Sequence, residues 1–278
     1  MSTITSPSAP PQPSTDNVPV VEFQHVSIGF DGNSVLNNIS FRAGTGEMVI
    51  LLGAAGTGKS ILLKLANGLI RPDSGHIHIF GRDIDELPQR ELFAFRSNIG
   101  MVFQESALFD SLSVRDNVSF RLKEQHDDEA DIERRVVEVL RFVELEHAID
   151  KFPAELSGGM RRRVAIARAI ITQPKLLLYD SPTGGLDPIT STTIIELIIK
   201  QRDVYESTAL LVTHRLQDAF SLATHCYNRK TNHMQRIPGD GVDPKTTIMV
   251  LKNTGIAFSG SLIDLLKSQD PYIKEYLE

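Results

Sequence analysis

A glycine-rich loop in the first quarter of the chain has residue types that can bind a chain of phosphate groups. It comprises Gly53, Ala54, Ala55, Gly56, Thr57, Gly58, Lys59 and Ser60. Glycines allow close backbone approach, and the amide hydrogens of such a loop form an anion-binding nest at a helix N-terminus. We expect Lys59 to reach the β- and γ-phosphates and the Ser60 hydroxyl to coordinate Mg²⁺. An apolar segment precedes the loop and a helical pattern follows it, which is the context that this reading requires.

A carboxylate later in the chain is a candidate second ligand for Mg²⁺. Asp180 directly follows the apolar segment 176–179, so it is expected at the carboxyl end of a buried strand. An aspartate at such a position is commonly a turn residue or a helix cap. Combined with the glycine-rich loop, it is better interpreted as a magnesium-binding carboxylate.

A second glycine pair opens a predicted helix at 157–171. Ser157 precedes Gly158 and Gly159, and the group is either an ordinary helix N-cap or a second phosphate-facing helix N-terminus. Three arginines at 161–163 follow, and we interpret them as a solvated helix face.

Strands and helices alternate along the chain, which predicts an α/β fold with a mostly parallel sheet and helices on its faces. The predicted strands are 20–28, 35–41, 47–52, 76–80, 99–103, 176–179, 208–212, 246–251 and 255–259. The predicted helices are 59–69, 131–143 within a helical stretch from 114, 157–171, 190–204, 262–267 and 272–277. The polar segment 228–245 is predicted to be a long loop between two strands.

Composition narrows the possible functions. The chain has 278 residues and a net charge of −6, which argues against a general nucleic-acid-binding surface. A single cysteine, Cys226, excludes an intrachain disulfide and is expected to be semi-buried. No apolar run approaches the roughly 20 residues that span a bilayer. Residues 1–18, rich in Ser, Thr and Pro, are predicted to form a disordered tail.

Taken in order, these motifs resemble the nucleotide-binding subunit of ABC transporters over about residues 20–278. The resemblance adds Gln104 after the strand at 99–103, a Gly-Leu-Asp sequence ending at Asp187, and His214 after the strand at 208–212. It implies a P-loop NTPase core, an N-terminal antiparallel β-subdomain and a helical subdomain at about 105–172. The ATP-binding cassette would then occupy residues 19–278.

The resemblance also implies a role for each matching residue. Phe30 corresponds to the aromatic that stacks on adenine, and Gln104 to the glutamine that senses Mg²⁺ and the γ-phosphate beside the membrane partner. His214 corresponds to a histidine that contacts the γ-phosphate. Asp187 lies in the segment that crosses a dimer interface. The Ser157, Gly158 and Gly159 signature would contact ATP bound to the opposite subunit, which implies a dimer, most simply a homodimer, with two bound ATP molecules.

Ser181 departs from the family pattern, in which a glutamate polarises the attacking water. A serine hydroxyl is a poor base near neutral pH, so this replacement implies slow hydrolysis or another way to activate water. Two functions therefore remain open: an ATPase that drives transport, and an ATP-operated clamp with little hydrolysis.

A narrower resemblance, at 101–109, 185–190 and 271–277, is to the ATPase subunits of Mla- or Mce-type lipid transporters. It implies a separate integral-membrane permease, an anchored lipid-binding protein and a phospholipid or other hydrophobic substrate. The chain would then lie in the cytoplasm, on the inner face of the cell membrane. A soluble cassette acting on nucleic acid or ribosomes is a third reading, against which the negative charge and the absence of a long coiled-coil insert argue.

Overall fold

A computed structural model describes residues 18–125 and 127–277, so nearly all of the predicted tail lies outside the described residues. The strands are β1 (Val21–Phe30), β2 (Asn33–Ala43), β3 (Met48–Leu52), β4 (Ser74–Ile79), β5 (Arg82–Asp83), β6 (Ile99–Val102), β7 (Leu176–Asp180), β8 (Thr208–Val212), β9 (His225–Asn228), β10 (His233–Arg236), β11 (Thr246–Lys252) and β12 (Gly255–Gly260). The helices are α1 (Lys59–Ala66), α2 (Gln89–Phe95), α3 (Val114–Glu124), α4 (Glu129–Phe142), α5 (Gly158–Ile170), α6 (Pro188–Tyr205), α7 (Leu216–Thr224), α8 (Leu262–Lys267) and α9 (Pro271–Leu277).

The central sheet has six strands in the order β12-β11-β3-β8-β7-β6. All neighbours are parallel except β12, which pairs antiparallel with β11.

The continuous apolar run in the sequence before the glycine-rich loop forms strand β3, which is covered on both faces. Met48, Ile50 and Leu52 pack into one hydrophobic cluster, whereas Val49 and Leu51 pack into another on the opposite face. A strand covered on both faces needs apolar residues at every position, as parallel sheets usually do.

A second, antiparallel sheet has the order β2-β1-β4-β5. Strands β1 and β2 are joined by Asp31 and Gly32, whose φ angles of +52° and +79° are those of a tight two-residue hairpin turn. Phe23 and Phe41 stack across the pair with ring centroids 4.7 Å apart. This sheet and the parallel sheet confirm the predicted α/β fold.

Helices α3, α4 and α5 pack together beside the central sheet. The helical stretch predicted from 114 is divided, because the Asp128 carboxylate accepts a hydrogen bond from the Ala130 amide at 3.1 Å and starts a new helix. The predicted apolar face of α4 is confirmed, with Ile132, Val136 and Leu140 among its buried residues. Within residues 18–125 and 127–277, no helix is long and apolar enough to cross a membrane.

The prediction of a long loop at 228–245 was wrong for residues 228–236. Strands β9 and β10 form an antiparallel hairpin that includes residues 225–236, and a short 3-10 turn follows at Pro238–Asp240. The hairpin is anchored on α6, where Glu196 accepts the Met234 amide and Asp203 accepts the Tyr227 amide, each at 2.7 Å. The hairpin strands are short and polar, so their sequence lacks the apolar alternation on which strand prediction depends. Helix α2 was also not predicted.

We expect Leu140→Ala to lower the free energy of unfolding by about 2–5 kcal/mol, since Leu140 is fully buried where α4 meets the core. Leu266→Ala is the matched control, because Leu266 is 55% exposed and its truncation should change stability by less than about 0.5 kcal/mol. Urea unfolding measures both. Equal effects of the two substitutions would contradict this assignment of the core.

Candidate functional site

The candidate site lies where three parallel strands of the central sheet end together. Val212 of β8 is paired with Leu51 of β3 on one side and with Asp180 of β7 on the other. The glycine-rich loop follows β3, and His214 lies two residues after β8. The register of the sheet therefore brings three separate predicted segments to one edge.

Backbone geometry explains the glycines of the loop. Gly53 and Gly58 have φ angles of +149° and +86°, which side-chain-bearing residues rarely adopt. A Cβ on Gly58 would lie 2.8 Å from a Leu36 methyl carbon, and one on Gly53 would lie 2.8 Å from the Leu251 carbonyl oxygen. The tip of the loop at residues 54–56 is exposed, so its backbone is accessible to a ligand.

Lys59 is buried, with its ammonium group inside the loop. Its Nζ donates hydrogen bonds to the carbonyl oxygens of Gly53 at 2.8 Å and Ala54 at 2.6 Å, and to the Thr57 hydroxyl at 3.3 Å. Burial lowers the pKa of Lys59, while the negative charge of Asp180 opposes that shift. The loop thus holds a positive charge where a phosphate-binding loop would need one.

The predicted magnesium ligands are adjacent. The Ser60 hydroxyl donates a hydrogen bond to a carboxylate oxygen of Asp180 at 3.0 Å, although the two residues are 120 positions apart. Hydroxyl and carboxylate oxygens are the hard ligands that Mg²⁺ prefers. The donor set therefore fits the metal.

Ser181 is buried at the start of a tight turn. Its φ angle is +46°, its amide donates to the Val212 carbonyl at 2.8 Å, and its own carbonyl accepts the Gly184 amide at 2.9 Å. Gln104 is exposed and lies beside this turn. A Cβ built on Gly184 would lie 3.7 Å from the Gln104 Cγ. The structure thus places Gln104 next to the segment that carries Ser181.

Asp187 ends the same turn and caps α6. One carboxylate oxygen accepts the Ile189 and Thr190 amides at 3.0 Å, and the other accepts the Thr190 hydroxyl at 2.5 Å. These hydrogen bonds, chiefly that from the Thr190 hydroxyl, lower the pKa of Asp187. His214 and Phe30 are both exposed, and Phe30 lies at the end of β1.

The Ser157 group is confirmed as an N-cap, because the Ser157 hydroxyl accepts the Met160 amide at 3.2 Å. Ser157 and Gly158 are exposed, while Gly159 packs closely on the first turn of α6. A Cβ on Gly159 would lie 2.4 Å from the Thr190 methyl group. The start of α5 and the Asp187 cap are therefore neighbours on one surface.

Two residues near the site were missed or misread from sequence. Arg162, interpreted as part of a solvated face, is only 4% exposed and donates hydrogen bonds to backbone carbonyls of the site. Helical spacing indicates its burial, since Ile166 and Ala169, at i+4 and i+7, lie on the apolar face of α5. Tyr276 of α9 accepts the Gly53 amide at 3.1 Å, and no local pattern indicated this contact.

The strand, glycine-rich loop and helix, with an aspartate at the end of the next strand but one in the sheet, define a P-loop nucleotide-binding protein. A profile of the ABC transporter family matches residues 36–184. The chain belongs to the ABC transporter ATP-binding family.

Relatives differ in what their names say they transport. The intermembrane phospholipid transport system ATP-binding protein MlaF of Haemophilus influenzae is 32% identical, with 94% of this chain and 91% of that protein aligned. The probable ribonucleotide transport ATP-binding protein mkl of Mycobacterium tuberculosis is 38% identical over 75% of this chain. The chain spans 59% of the length of mkl.

A solved structure shares the fold. The ATP-binding cassette MJ0796, in a dimeric post-hydrolysis state bound to ADP and Pi, superposes with a TM-score of 0.73 and 28% identity. The superposition covers 87% of this chain and 98% of that one. This similarity confirms the P-loop cassette fold.

We expect Tyr276→Phe to lower the free energy of unfolding by about 1 kcal/mol, because the Gly53 amide loses its acceptor. The matched control is Tyr272→Phe on the same helix, whose hydroxyl makes only a 3.4 Å contact with the Leu251 carbonyl. Chemical denaturation compares the two variants. A loss no greater for Tyr276→Phe than for Tyr272→Phe would show that the Gly53 contact is not stabilising.

Proposed function

We propose that the chain binds Mg-ATP at this site and drives a separate membrane permease as the ATP-binding subunit of a transporter. The observation that carries the proposal is the 3.0 Å contact between the Ser60 hydroxyl and the Asp180 carboxylate, beside the buried Lys59 ammonium. A cation and a pair of hard oxygen ligands at the end of a phosphate-binding loop match the charges of a metal–triphosphate complex.

Each part of the loop has a role in this proposal. Backbone amides of residues 54–60 surround the β-phosphate, and Lys59 exchanges its carbonyl partners for β- and γ-phosphate oxygens. The exposed ring of Phe30 stacks on adenine. Ser60 and Asp180 would hold Mg²⁺, with Gln104 as a further candidate ligand. Bound there, the metal would neutralise negative charge on the transferred phosphoryl group.

The working unit in this proposal is a dimer of cassettes. Ser157, Gly158 and Asp187 are exposed and adjoin one surface, and Ile189, beside them, is 82% exposed. In the proposed dimer this apolar side chain would be covered by the second cassette. Facing a second cassette, the N-terminus of α5 would bring Ser157, Gly158 and Gly159 to the γ-phosphate bound by the partner. Asp187 would cross the interface, and His214 would contact the γ-phosphate from its own subunit.

Ser181 occupies the position from which a glutamate would activate the attacking water. A glutamate at position 181 would accept a proton from the attacking water, and the hydroxyl of Ser181 is too weak a base to do so. The serine at this position supports a second candidate function, an ATP-operated clamp in which nucleotide exchange or a partner reopens the dimer. In either case ATP closes the dimer.

The permease is proposed to bind a groove beside Gln104. Phe103, Phe109 and Phe120 line it, and each is 36–44% exposed. The rings of Phe109 and Phe120 are in contact, with centroids 4.8 Å apart, and Arg121 and Arg168 form its basic edge. An apolar floor with a charged rim suits a short amphipathic helix from the cytoplasmic side of a membrane protein.

The proposed substrate is a phospholipid or another hydrophobic molecule. The similarity to MlaF, which extends over nearly the whole of both chains, supports this class over the ribonucleotide of mkl. A membrane-anchored lipid-binding protein would then be a further partner, and the chain would sit on the inner face of the cell membrane. Nucleic acid is not a proposed ligand, in keeping with the net charge of −6.

We expect Lys59→Ala to weaken Mg-ATP binding by about 100-fold or more, because it removes the buried cation of the loop. Ser181→Glu should raise turnover by about 100-fold or more if the missing base limits hydrolysis. Both are measured by nucleotide binding and phosphate release. Unchanged binding in Lys59→Ala would refute the nucleotide site. Wild-type turnover well above that of Lys59→Ala, and as fast as that of Ser181→Glu, would exclude the clamp.

We expect Phe109→Glu to abolish co-purification with the permease encoded by a neighbouring gene, while Mg-ATP affinity stays within about threefold, because a charge replaces the apolar floor of the groove. Phe152→Glu is the control, since Phe152 is 45% exposed and does not line the groove. Equal retention of the permease by both variants would place its binding site elsewhere.

A further inference from the structure

Arg162 connects two segments of the candidate site that are far apart in sequence. We call residues 103–107 the Gln104 loop and residues 181–187 the Ser181 turn. Nη1 of Arg162 donates to the carbonyl oxygens of Phe103 and Ser181, each at 3.2 Å. Nη2 donates to the carbonyls of Gln104 and, at 3.4 Å, Gly184. Each terminal nitrogen therefore bridges one carbonyl of the loop and one of the turn.

The surroundings of Arg162 show that the connection is geometric rather than an ion pair. The side chain is 4% exposed and forms no ion pair with a carboxylate in the part of the chain that the structure describes. Its Nε has no hydrogen-bond partner there. Burial lowers the pKa of Arg162, and the charges of Asp180 and Glu105 oppose that effect. Burying a guanidinium without a carboxylate partner is unfavourable unless its hydrogen bonds compensate.

The two bridged segments have different proposed tasks. Phe103 of the Gln104 loop lines the permease groove. The Ser181 turn begins at the position of the missing base and ends at Asp187, the cap of α6. Because a guanidinium is planar and rigid, displacement of one set of carbonyls breaks hydrogen bonds or moves the other set.

We propose that Arg162 is a positioning residue that makes the Gln104 loop and the Ser181 turn move together. Binding of the permease in the groove thereby changes the positions of Ser181 and Asp187. Nucleotide binding in turn changes the position of the groove residue Phe103. The link between permease and nucleotide rests on the proposed function. The mechanical connection between the two segments depends only on the hydrogen bonds of Arg162.

The next residue supplies a matched control. Nη1 of Arg163 also donates to two backbone carbonyls, those of Val143 at 3.2 Å and Glu144 at 3.4 Å. Both carbonyls lie in the segment after α4 and belong neither to the Gln104 loop nor to the Ser181 turn. Removing Arg163 therefore tests the loss of an arginine from α5 without the loss of the link.

Hydrogen exchange read by mass spectrometry tests the link on the full chain. The reporters are the amides of Ser106, which donates to the Phe103 carbonyl at 3.0 Å, and Gly184, which donates to the Ser181 carbonyl at 2.9 Å. Arg162 uses the same two acceptors. Without nucleotide, Arg162→Met should speed exchange of both segments by about tenfold, whereas Arg163→Met should leave both within about twofold of wild type.

Mg-ATP supplies the second arm of the experiment. In wild type and Arg163→Met, Mg-ATP should slow exchange in both segments. In Arg162→Met it should still bind and slow exchange in the Ser181 turn, but the Gln104 loop should no longer respond. A structural role alone would not separate the two responses. Arg162→Lys, which keeps the charge but has only one donor nitrogen, should show the same separation and serves if the methionine variant does not fold.

Wild-type exchange in both segments of Arg162→Met or Arg162→Lys would overturn the proposal. So would an equal effect of Arg163→Met. If Mg-ATP protects neither segment in wild type, the proposed nucleotide site fails, yet the comparison without nucleotide still decides whether Arg162 links the two segments.

Discussion

The parallel pairing of β3, β8 and β7 is the constraint on which the site depends. Val212 is fixed between Leu51 and Asp180, so the three strands end at one level. The ends of β3 and β7 are thereby held near each other, and the glycine-rich loop that follows β3 brings the Ser60 hydroxyl to 3.0 Å from the Asp180 carboxylate. A shift of one residue in β7 would turn the Asp180 side chain to the other face of the sheet.

Both buried cations beside this edge are held by backbone carbonyls. Lys59 bonds the carbonyls of Gly53 and Ala54, and Arg162 bonds four carbonyls of the Gln104 loop and the Ser181 turn. Carbonyl dipoles stabilise a cation without cancelling its charge, which a carboxylate partner would do. Asp180 consequently stays available to a metal. Two buried positive charges, those of Lys59 and Arg162, thus lie beside the edge at which the glycine-rich loop and Asp180 meet.

The sequence predicted those features that depend on neighbours along the chain. The glycine-rich loop, the apolar strand before Asp180 and the Ser157 cap are local patterns, and the structure has all three elements. The interpretation of Arg162 was wrong because three consecutive arginines look like a surface, whereas a helix turns by about 100° per residue and sends one of them inward. The Gly53–Tyr276 contact joins residues 223 positions apart, so only the folded chain reveals it. The β9–β10 hairpin depends on anchoring to α6, which strand propensity alone does not encode.

The position of β3 in the sheet has a consequence for how the protein is made. Its two neighbours in the sheet, β8 and β11, begin at Thr208 and Thr246. About 150 residues must therefore be synthesised after β3 before either partner strand leaves the ribosome. The Tyr276 contact with Gly53 comes later still. The nascent chain thus carries an apolar strand, Met48–Leu52, with both edges unpaired, while β1 and β2 already have each other as partners. The candidate site can therefore take its final form only after β8, β11 and Tyr276 have been synthesised.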